Sequence, residues 1–289
     1  MRLFAKSSGI RTLGDSRAQA RNLVLDPIRR AYPKRWAKLV AAGCEKFLRA
    51  YYNEDHWRMQ ANGEAEIIRR FVANSNTSVV ALDVGAHHGE WAARFLSLGP
   101  NSLVVCFEIV PAIRDKLKQH FSADTRVSIA DCGLSDQVGI VKVTWNKSCG
   151  PSSSISGESR HYEGAELTVV SCAVQTGDKY LCENAIGQID FLKIDTEGHE
   201  VPVLKGFAQV LASAQAPRVI QFEYGTTWLA GRHRLADAYS ILQCKNYSIG
   251  RLYPGGVDFK QYELSDESFR MGNYVAVRDS TLLKAFQLR

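Results

Sequence analysis

The chain has 289 residues, of which 45% are hydrophobic and 23% charged, a composition that is typical of globular proteins and excludes disordered, collagen-like and coiled-coil classes. Its longest apolar runs are strand-sized and far short of the ~20 residues of a membrane-spanning helix, so no membrane span is predicted. The formal net charge is +6, and residues 1–50 carry the excess, with twelve Lys and Arg against three Asp and Glu.

Residues 1–75 are predicted to form a basic, helical N-terminal extension. Apolar residues recur at three- and four-residue spacings in residues 17–30, 34–50 and 64–73. The alternatives for this arm are a solvated helix face, packing on the sheet, a dimer contact, or contact with an anionic membrane, a nucleic acid or an anionic glycan. Seven scattered cysteines without a C-x-x-C pair favour a reducing compartment, so we expect a cytoplasmic protein with peripheral membrane contact as an option.

Residues 76–289 are predicted to form a single domain in which strands alternate with helices, as in a mostly parallel sheet. Its first strands are predicted at residues 78–83, 103–107 and 126–130, with helices at 90–98 and 111–121. An antiparallel pair is predicted at 138–145 and 167–174, joined by a Ser/Gly-rich loop at 148–157 and followed by a helix at 176–184. The remaining strands are predicted at 189–194 and 218–222, the helices at 201–211 and 234–242, and a closing antiparallel pair at 247–252 and 273–277.

The segment from residue 79 to residue 90 combines a buried strand, an acid at its carboxyl end and two glycines before a helix. Ligands of open α/β sheets bind at this end of the strands. Gly85 lets a ligand approach the backbone because it has no Cβ, and Asp83 places a carboxylate near a cationic ligand. We therefore predict that Asp83, Gly85, His88 and Gly89 bind a cofactor; the alternative is a tight turn without a ligand.

Acidic residues also follow the next two predicted strands. Glu108 lies 23 residues after Gly85, close to the spacing at which an acid accepts hydrogen bonds from a ribose diol. Asp131 and Cys132 follow the third strand, at a position that commonly lies beside an adenine ring. We therefore predict that Glu108, Asp131 and Cys132 bind a nucleoside; the alternatives are a helix-capping acid and a plain turn.

A polar cluster follows the strand predicted at residues 189–194, and it contains Lys193, Asp195, Glu197, His199 and Glu200. Together with the motifs above, it makes the chain resemble the FkbM-type methyltransferases, a branch of the class I fold that uses S-adenosylmethionine. The resemblance spans about residues 79–278, and its matching stretches are residues 82–90, 107–111, 134–136, 151–154, 190–200, 204–206, 222–223 and 273–277. The Lys-Ile-Asp-x-Glu-Gly run that starts at Lys193 is the most diagnostic of them.

The resemblance implies a Rossmann-like class I methyltransferase domain, with a mostly parallel seven-stranded sheet flanked by helices. It also implies transfer of a methyl group from S-adenosyl-L-methionine, usually to a hydroxyl. Family members act on saccharides, glycolipids and natural products, so we expect O-methylation of a saccharide or lipid-linked glycan. Asp195 is assigned to the methionine end of the cofactor.

A sugar hydroxyl is a poor nucleophile, so a base must take its proton as the methyl group is transferred. His199 is the first candidate because its unperturbed pKa lies near neutrality, and Glu197 and Glu223 are rivals. A carboxylate at this place could instead position the acceptor or hold a divalent ion, although no metal site is predicted. The loop at residues 150–157 is a candidate lid over the site.

Other functions stay open at this point. The acceptor could be a small natural product, or the domain could be a nucleoside-binding scaffold without activity, which the intact acidic cluster disfavours. A nicotinamide-dependent oxidoreductase is disfavoured because G-x-G-x-x-G is missing. Nucleic acid is an unexpected substrate because the Asn/Asp-Pro-Pro-aromatic signature of amino methyltransferases is absent. The sequence gives no indication of the oligomeric state.

Overall fold

Contacts divide the chain into two units, Met1–Tyr51 and Tyr52–Arg289. The computed structural model describes residues 22–23, 25–54, 58–75, 78–146, 153–154 and 167–288. The first unit contains helix α1 (Arg35–Tyr51), which exposes apolar side chains that include Trp36, Val40 and Phe47. Over these ranges, no helix is both long enough and apolar enough to cross a bilayer.

The second unit begins with two helices, α2 (Met59–Asn62) and α3 (Glu64–Ala73). Strands then alternate with helices in the order β1 (Val80–Val84), α4 (Glu90–Leu98), β2 (Leu103–Phe107), α5 (Pro111–His120) and β3 (Val127–Ala130). The middle of the chain forms β4 (Gly133–Leu134), β5 (Gly139–Asn146), β6 (Ser153–Ser154), β7 (Leu167–Gln175) and α6 (Gly177–Glu183). The last part forms β8 (Phe191–Ile194), α7 (Glu200–Gly206), α8 (Ala208–Ala212), β9 (Val219–Tyr224), α9 (Leu235–Gln243), β10 (Ser248–Tyr253), β11 (Gly256–Phe259), β12 (Gly272–Val277) and α10 (Ser280–Phe286).

The main sheet has eight strands in the order β11-β10-β12-β9-β8-β1-β2-β3. The five strands from β9 to β3 are parallel, and β12 lies antiparallel between β9 and β10. The inner strands are near-continuous apolar runs because helices cover both faces of the sheet. Seven of the eight strands are those expected from the sequence. The eighth, β11, forms an edge hairpin with β10 after the Pro254-Gly255 turn.

Helix α3 belongs to the core of the second unit. Its residues Ile67, Ile68 and Phe71 are fully buried in the same cluster as Ala81 of β1 and Phe191 of β8. The apolar face of α3 therefore packs on the sheet of the second unit. The contact division accordingly falls between Tyr51 and Tyr52, earlier in the chain than the boundary expected between residues 75 and 76.

A second, four-stranded sheet has the order β4-β7-β5-β6. Its longest pairing is the antiparallel one of β5 with β7, which runs from Gly139↔Val174 to Asn146↔Leu167 and agrees with the predicted pair. The helix predicted at 201–211 is interrupted, because Phe207 turns into the core between α7 and α8. Of the candidate lid at 150–157, only Ser153 and Ser154 lie in the described residues, and residues 1–21 of the arm lie outside them.

Candidate active site

A cavity of about 260 Å³ opens at the carboxyl ends of β1, β2, β8 and β9. Strand β1 lies between β2 and β8 at the switch point of the sheet, where open α/β sheets bind their ligands. Six of the predicted site residues line this cavity: Gly85, Glu108, Asp195, Glu197, His199 and Glu223. The five that do not line it are Asp83, His88, Gly89, Asp131 and Cys132.

The turn after β1 is possible only with glycine at two positions. Gly85 has a φ of +82°, and a Cβ there would lie 1.7 Å from the backbone oxygen of Asp195. Gly89 has a φ of +85°, and a Cβ there would lie 2.3 Å from the ring of Phe121. Gly85 therefore brings the loops after β1 and β8 together at the cavity, whereas Gly89 packs the start of α4.

Glu108 is held in place from behind. It is 5% exposed, and its Oε1 and Oε2 accept hydrogen bonds from the backbone N–H groups of Val110 (2.8 Å) and His87 (2.9 Å). Burial raises the pKa of Glu108, while these two hydrogen bonds favour the carboxylate. Each oxygen keeps a further lone pair, so the fixed carboxylate suits the diol of a ribose.

Asp83 lies behind the cavity wall and not on it. It is fully buried, and Nζ of Lys193 lies 3.0 Å from its Oδ1 and 3.5 Å from Oδ2 of Asp195. The same Nζ donates a hydrogen bond to the Gly85 carbonyl (3.3 Å). Although burial opposes the charge of Lys193, the carboxylates of Asp83 and Asp195 raise its pKa. Asp83 therefore fixes Lys193, which in turn lines the cavity.

The two residues predicted beside an adenine ring, Asp131 and Cys132, do not line the cavity. The Asp131 side chain is 77% exposed and pairs with Lys118 (2.5 Å), while the Cys132 sulfur accepts a hydrogen bond from Gln175. The wall at this place is instead apolar, with Ile109, Ile113, Gly133, Leu134 and Val143. An apolar slot is well suited to an adenine, but its residues have the same pattern as ordinary core positions.

The two adjacent histidines after β1 have different surroundings. The His88 side chain is exposed, and its ring centroid lies 3.9 Å from that of His87, with the two ring planes tilted by 54°. His87 has a φ of +48° and lines the cavity, and its buried Nε2 has no hydrogen-bond partner among the described residues. Burial lowers the pKa of His87 to about 4, so its ring is neutral at pH 7. His87 can therefore contact a ligand, the role that was predicted from the sequence for His88.

His199, at the start of α7, is connected to a second polar network. Its Nε2 lies 2.9 Å from Oγ of Ser135, which in turn donates to Oδ1 of Asp136 (3.1 Å). With the Ser135 proton on the Asp136 contact, Oγ can accept a hydrogen bond from His199 Nε2–H, and this tautomer leaves the Nδ1 lone pair free. Burial lowers the pKa of His199 to about 4, so the ring is neutral and able to accept a proton.

Three carboxylates meet at the ends of β8 and β9. One oxygen each from Asp195, Glu197 and Glu223 lies within 4.8 Å of the others. Burial and the charge of Asp195 raise the pKa of Glu197 to about 8, and burial raises that of Glu223 well above its usual value. Glu200 shapes this loop from beneath, because its carboxylate accepts hydrogen bonds from the N–H groups of Thr196 and Gly198.

Several cavity residues were not identified from the sequence. Glu64 of α3 lines the cavity, where its carboxylate accepts hydrogen bonds from Asn62 (2.6 Å) and Gln221 (2.7 Å). Trp91 of α4 lines it too, with a buried Nε1 that has no partner among the described residues. Their only sequence signature is a polar or amphipathic residue on an otherwise apolar helix face, which is too common to indicate a site.

The sheet order, the glycine turn and the acid after β2 together define a class I methyltransferase, and its cofactor is S-adenosylmethionine. The chain belongs to the methyltransferase FkbM domain family, whose model matches residues 83–249. This membership agrees with the resemblance and is incompatible with the oxidoreductase alternative. The site fits the cofactor, since Glu108 offers oxygens to a ribose and the carboxylates near Asp195 suit its cationic end.

Two curated relatives show where the similarity lies. The chain is 26% identical over 192 residues to 2-O-methyltransferase NoeI of Sinorhizobium fredii, which covers 62% of this chain and 76% of NoeI. It is 28% identical over 162 residues to hexuronic acid methyltransferase AglP of Haloferax volcanii, which covers 55% of this chain and 63% of AglP. The match thus spans somewhat less than two thirds of AglP.

Solved structures of low identity are also similar. A SAM-dependent methyltransferase from Agrobacterium tumefaciens aligns with a TM-score of 0.43 at 7% identity, covering 75% of this chain and 61% of that one. A TehB-like SAM-dependent methyltransferase from Corynebacterium glutamicum aligns with a TM-score of 0.37 at 16% identity, covering 86% of this chain and 97% of that one.

Proposed function

We propose that the chain is an O-methyltransferase that methylates a hydroxyl of a saccharide. The observation that carries this proposal is one cavity that brings together a fixed diol-binding acid, Glu108, and a neutral imidazole, His199. The names of the two relatives support it, because one denotes a 2-O-methyltransferase and the other a hexuronic acid methyltransferase. A glycolipid is an acceptor of the same chemistry.

The residues of the chain have separable tasks in this proposal. When bound, S-adenosylmethionine supplies a methyl group carried by a positively charged sulfur. The acceptor oxygen would attack the methyl carbon from the side opposite the sulfur, which leaves. Glu108 holds the ribose, and Asp195 faces the methionine end, so the cofactor is fixed at both ends. His199 takes the hydroxyl proton at Nδ1, and Asp136 stabilises the resulting imidazolium through Ser135. Glu197 and Glu223 are alternative bases at the same wall.

Ligand-dependent thermal unfolding tests cofactor binding first. At 100 times its Kd, S-adenosylhomocysteine stabilises the protein by about 2.7 kcal/mol, a shift of several degrees for a domain of this size. We expect this shift with S-adenosylhomocysteine but not with NAD, and we expect its loss in Glu108→Ala. Equal shifts with NAD, or none with either ligand, would contradict the proposal.

Methyl transfer tests the reaction and the acceptor class. Radiolabelled S-adenosylmethionine is incubated with a panel of oligosaccharides, uronic acids, glycolipids and small natural-product alcohols. We expect label on the saccharides and a loss of at least about 100-fold in kcat for His199→Asn, with the S-adenosylhomocysteine shift retained. Label on natural products alone would favour that alternative, and cofactor binding without any transfer would favour the scaffold.

Peripheral membrane contact is a further part of the proposal and concerns helix α1 by itself. Its exposed apolar residues Trp36, Val40 and Phe47 recur at spacings of four and seven residues, and the helix also carries Arg35, Lys38, Lys46 and Arg49. An amphipathic basic helix of this kind binds anionic lipid surfaces, where a lipid-linked acceptor would be found.

Vesicle sedimentation tests this contact. We expect the protein to sediment with vesicles that contain phosphatidylserine and not with phosphatidylcholine alone, and we expect a Trp36→Ala, Phe47→Ala double variant to lose this binding. Unchanged sedimentation of the double variant would refute the contact. The methyl-transfer assay on soluble saccharides serves as the control for an intact catalytic domain.

A further inference from the structure

Three carboxylates lie close together on one wall of the cavity, which we call the acidic wall. Asp195 and Glu197 lie in the loop after β8, and Glu223 lies on the neighbouring strand β9. Parallel pairing of β8 with β9 places these positions at the same edge, and one oxygen of each side chain lies within 4.8 Å of the other two. Three carboxylates at this separation repel one another unless protons or a cation compensate them.

The carboxylate of Glu223 makes this wall a candidate site for a positively charged ligand. The residue is 5% exposed, lines the cavity, and its carboxylate makes no hydrogen bond or ion pair within the described ranges. Three other buried carboxylates of this domain have protein partners. Glu108 accepts from two backbone N–H groups, Glu200 accepts from three donors of its own loop, and Asp83, which has no hydrogen bond among the described residues, lies 3.0 Å from Nζ of Lys193. A carboxylate of a buried residue that faces a cavity without a protein partner is available to a ligand that supplies positive charge.

Lys193 does not fill this role. Its Nζ is 3.0 Å from Asp83 and 3.5 Å from Asp195, and it donates to the Gly85 carbonyl. One lysine thus balances Asp83 and part of Asp195, and it forms no ion pair with Glu223. A proton or a bound cation must therefore compensate the charge of Glu223.

We propose that Asp195, Glu197 and Glu223 hold a divalent cation of the Mg²⁺ or Mn²⁺ type. The donor set consists of carboxylate oxygens without a thiolate or imidazole, which favours hard cations over zinc or copper. Metal–oxygen distances of about 2.1 Å place neighbouring ligand oxygens of an octahedron about 3 Å apart and opposite ones about 4.2 Å apart, so the side chains would have to close by up to about 2 Å to bind the ion together.

The ion would deepen the proposed function, on which this part of the inference rests. Three protein oxygens leave about three positions of an octahedron, and two adjacent hydroxyls of a saccharide can occupy two of them. The ion would then orient the diol and favour ionisation of the reacting hydroxyl, while His199 takes the proton. Specificity for an acceptor with adjacent oxygens follows from this geometry.

Mn²⁺ binding to the full chain, measured by calorimetry and by the loss of the free-ion electron paramagnetic resonance signal, tests the site without any activity assay. We expect one equivalent to bind to the protein alone and also to the S-adenosylhomocysteine complex. Glu223→Gln should weaken binding at least ten-fold. Glu64→Gln is the matched control, because Glu64 lines the same cavity but is already hydrogen-bonded by Asn62 and Gln221, and this variant should bind as the parent does.

Three results would overturn the inference: no Mn²⁺ bound, equal affinity in Glu223→Gln, or displacement of Mn²⁺ by S-adenosylhomocysteine, which would assign the carboxylates to the cofactor. The thermal shift with S-adenosylhomocysteine shows that Glu223→Gln is folded. The same shift separates the two proposals, because its absence in the parent refutes the methyltransferase function whether or not Mn²⁺ binds.

Discussion

The two halves of the cavity differ in the hydrogen bonding of their buried carboxylates. On the β1–β2 side, Glu108 is fixed by two backbone N–H groups before any ligand arrives. On the β8–β9 side, Glu223 is equally buried but has no partner within the described residues. In our proposals the first half binds a neutral diol, and the second binds a positive charge. The difference teaches that burial alone does not define a site, whereas the state of the hydrogen bonds behind each acid does.

Lys193 joins the two halves, so its removal should have the largest effect. Lys193→Met leaves Asp83 buried without a counter-charge, and we expect the free energy of unfolding to fall by about 3–5 kcal/mol in urea titrations. Adding Asp83→Asn to this variant removes the second charge and should restore a large part of the loss. A double variant as unstable as the single one would show that the pair contributes through packing and not through charge.

Gly85→Ala tests whether the two halves must touch. A Cβ would lie 1.7 Å from the Asp195 carbonyl, and φ of +82° is strained for alanine, so we expect about 3 kcal/mol of destabilisation and loss of S-adenosylhomocysteine binding. Thermal unfolding measures both effects. Gly187→Ala is the control, because nothing lies within 4 Å of its added Cβ, and it should leave both values unchanged.

Glu108→Gln tests the β1–β2 side of the cavity alone. The amide group cannot accept from both backbone N–H groups, and one hydrogen bond to the ribose weakens, so we expect a loss of about 2 kcal/mol in S-adenosylhomocysteine binding by calorimetry. Asp131→Asn separates the sequence-based position from the observed one. It should change the affinity less than about two-fold, because the exposed Asp131 side chain pairs with Lys118 and does not line the cavity. A loss as large as that of Glu108→Gln would restore Asp131 to the site.

The smallest expected effect is on how the free energy of unfolding depends on pH through His87, on the β1–β2 side of the cavity. Burial lowers the pKa of His87 to about 4, below the 6.5 of an unfolded histidine. Between these values the unfolded chain binds a proton that the folded chain does not, so stability falls as pH drops from about 6.5 to 4. His87→Asn tolerates the positive φ and should reduce this fall by about 1 kcal/mol in urea titrations at pH 7 and pH 5. Identical pH profiles in parent and variant would contradict it.

Most of the fold could be predicted from local patterns in the sequence. The β1 turn and the strand that precedes Lys193 are predictable because their information lies within a dozen residues. The role of Asp83 was not, because its position behind the cavity depends on the pairing of Asp83 with Lys193 across β1 and β8, more than a hundred residues apart. Glu64 could not be found either, since only the packing of α3 on the sheet brings it to the cavity.

The apolar wall of the cavity beside β3 shows a different limit. The acid and thiol after β3 attract attention as polar residues, yet the surface at this strand end is formed by Ile113 and Leu134. Apolar residues that contact a ligand obey the same pattern as those that contact a core, so only their exposure to a cavity separates them.

Helix α3 has a consequence for exchanging domains between relatives. It contributes three fully buried core residues and the Glu64 carboxyl to the catalytic unit, although it precedes the family match over residues 83–249. A chimera joined at the limits of the match would pair one parent's sheet with the other parent's α3 and leave a mismatched cavity floor. Grafting from Tyr52 onwards instead transfers the sheet, its covering helix and the cavity wall as one inherited piece.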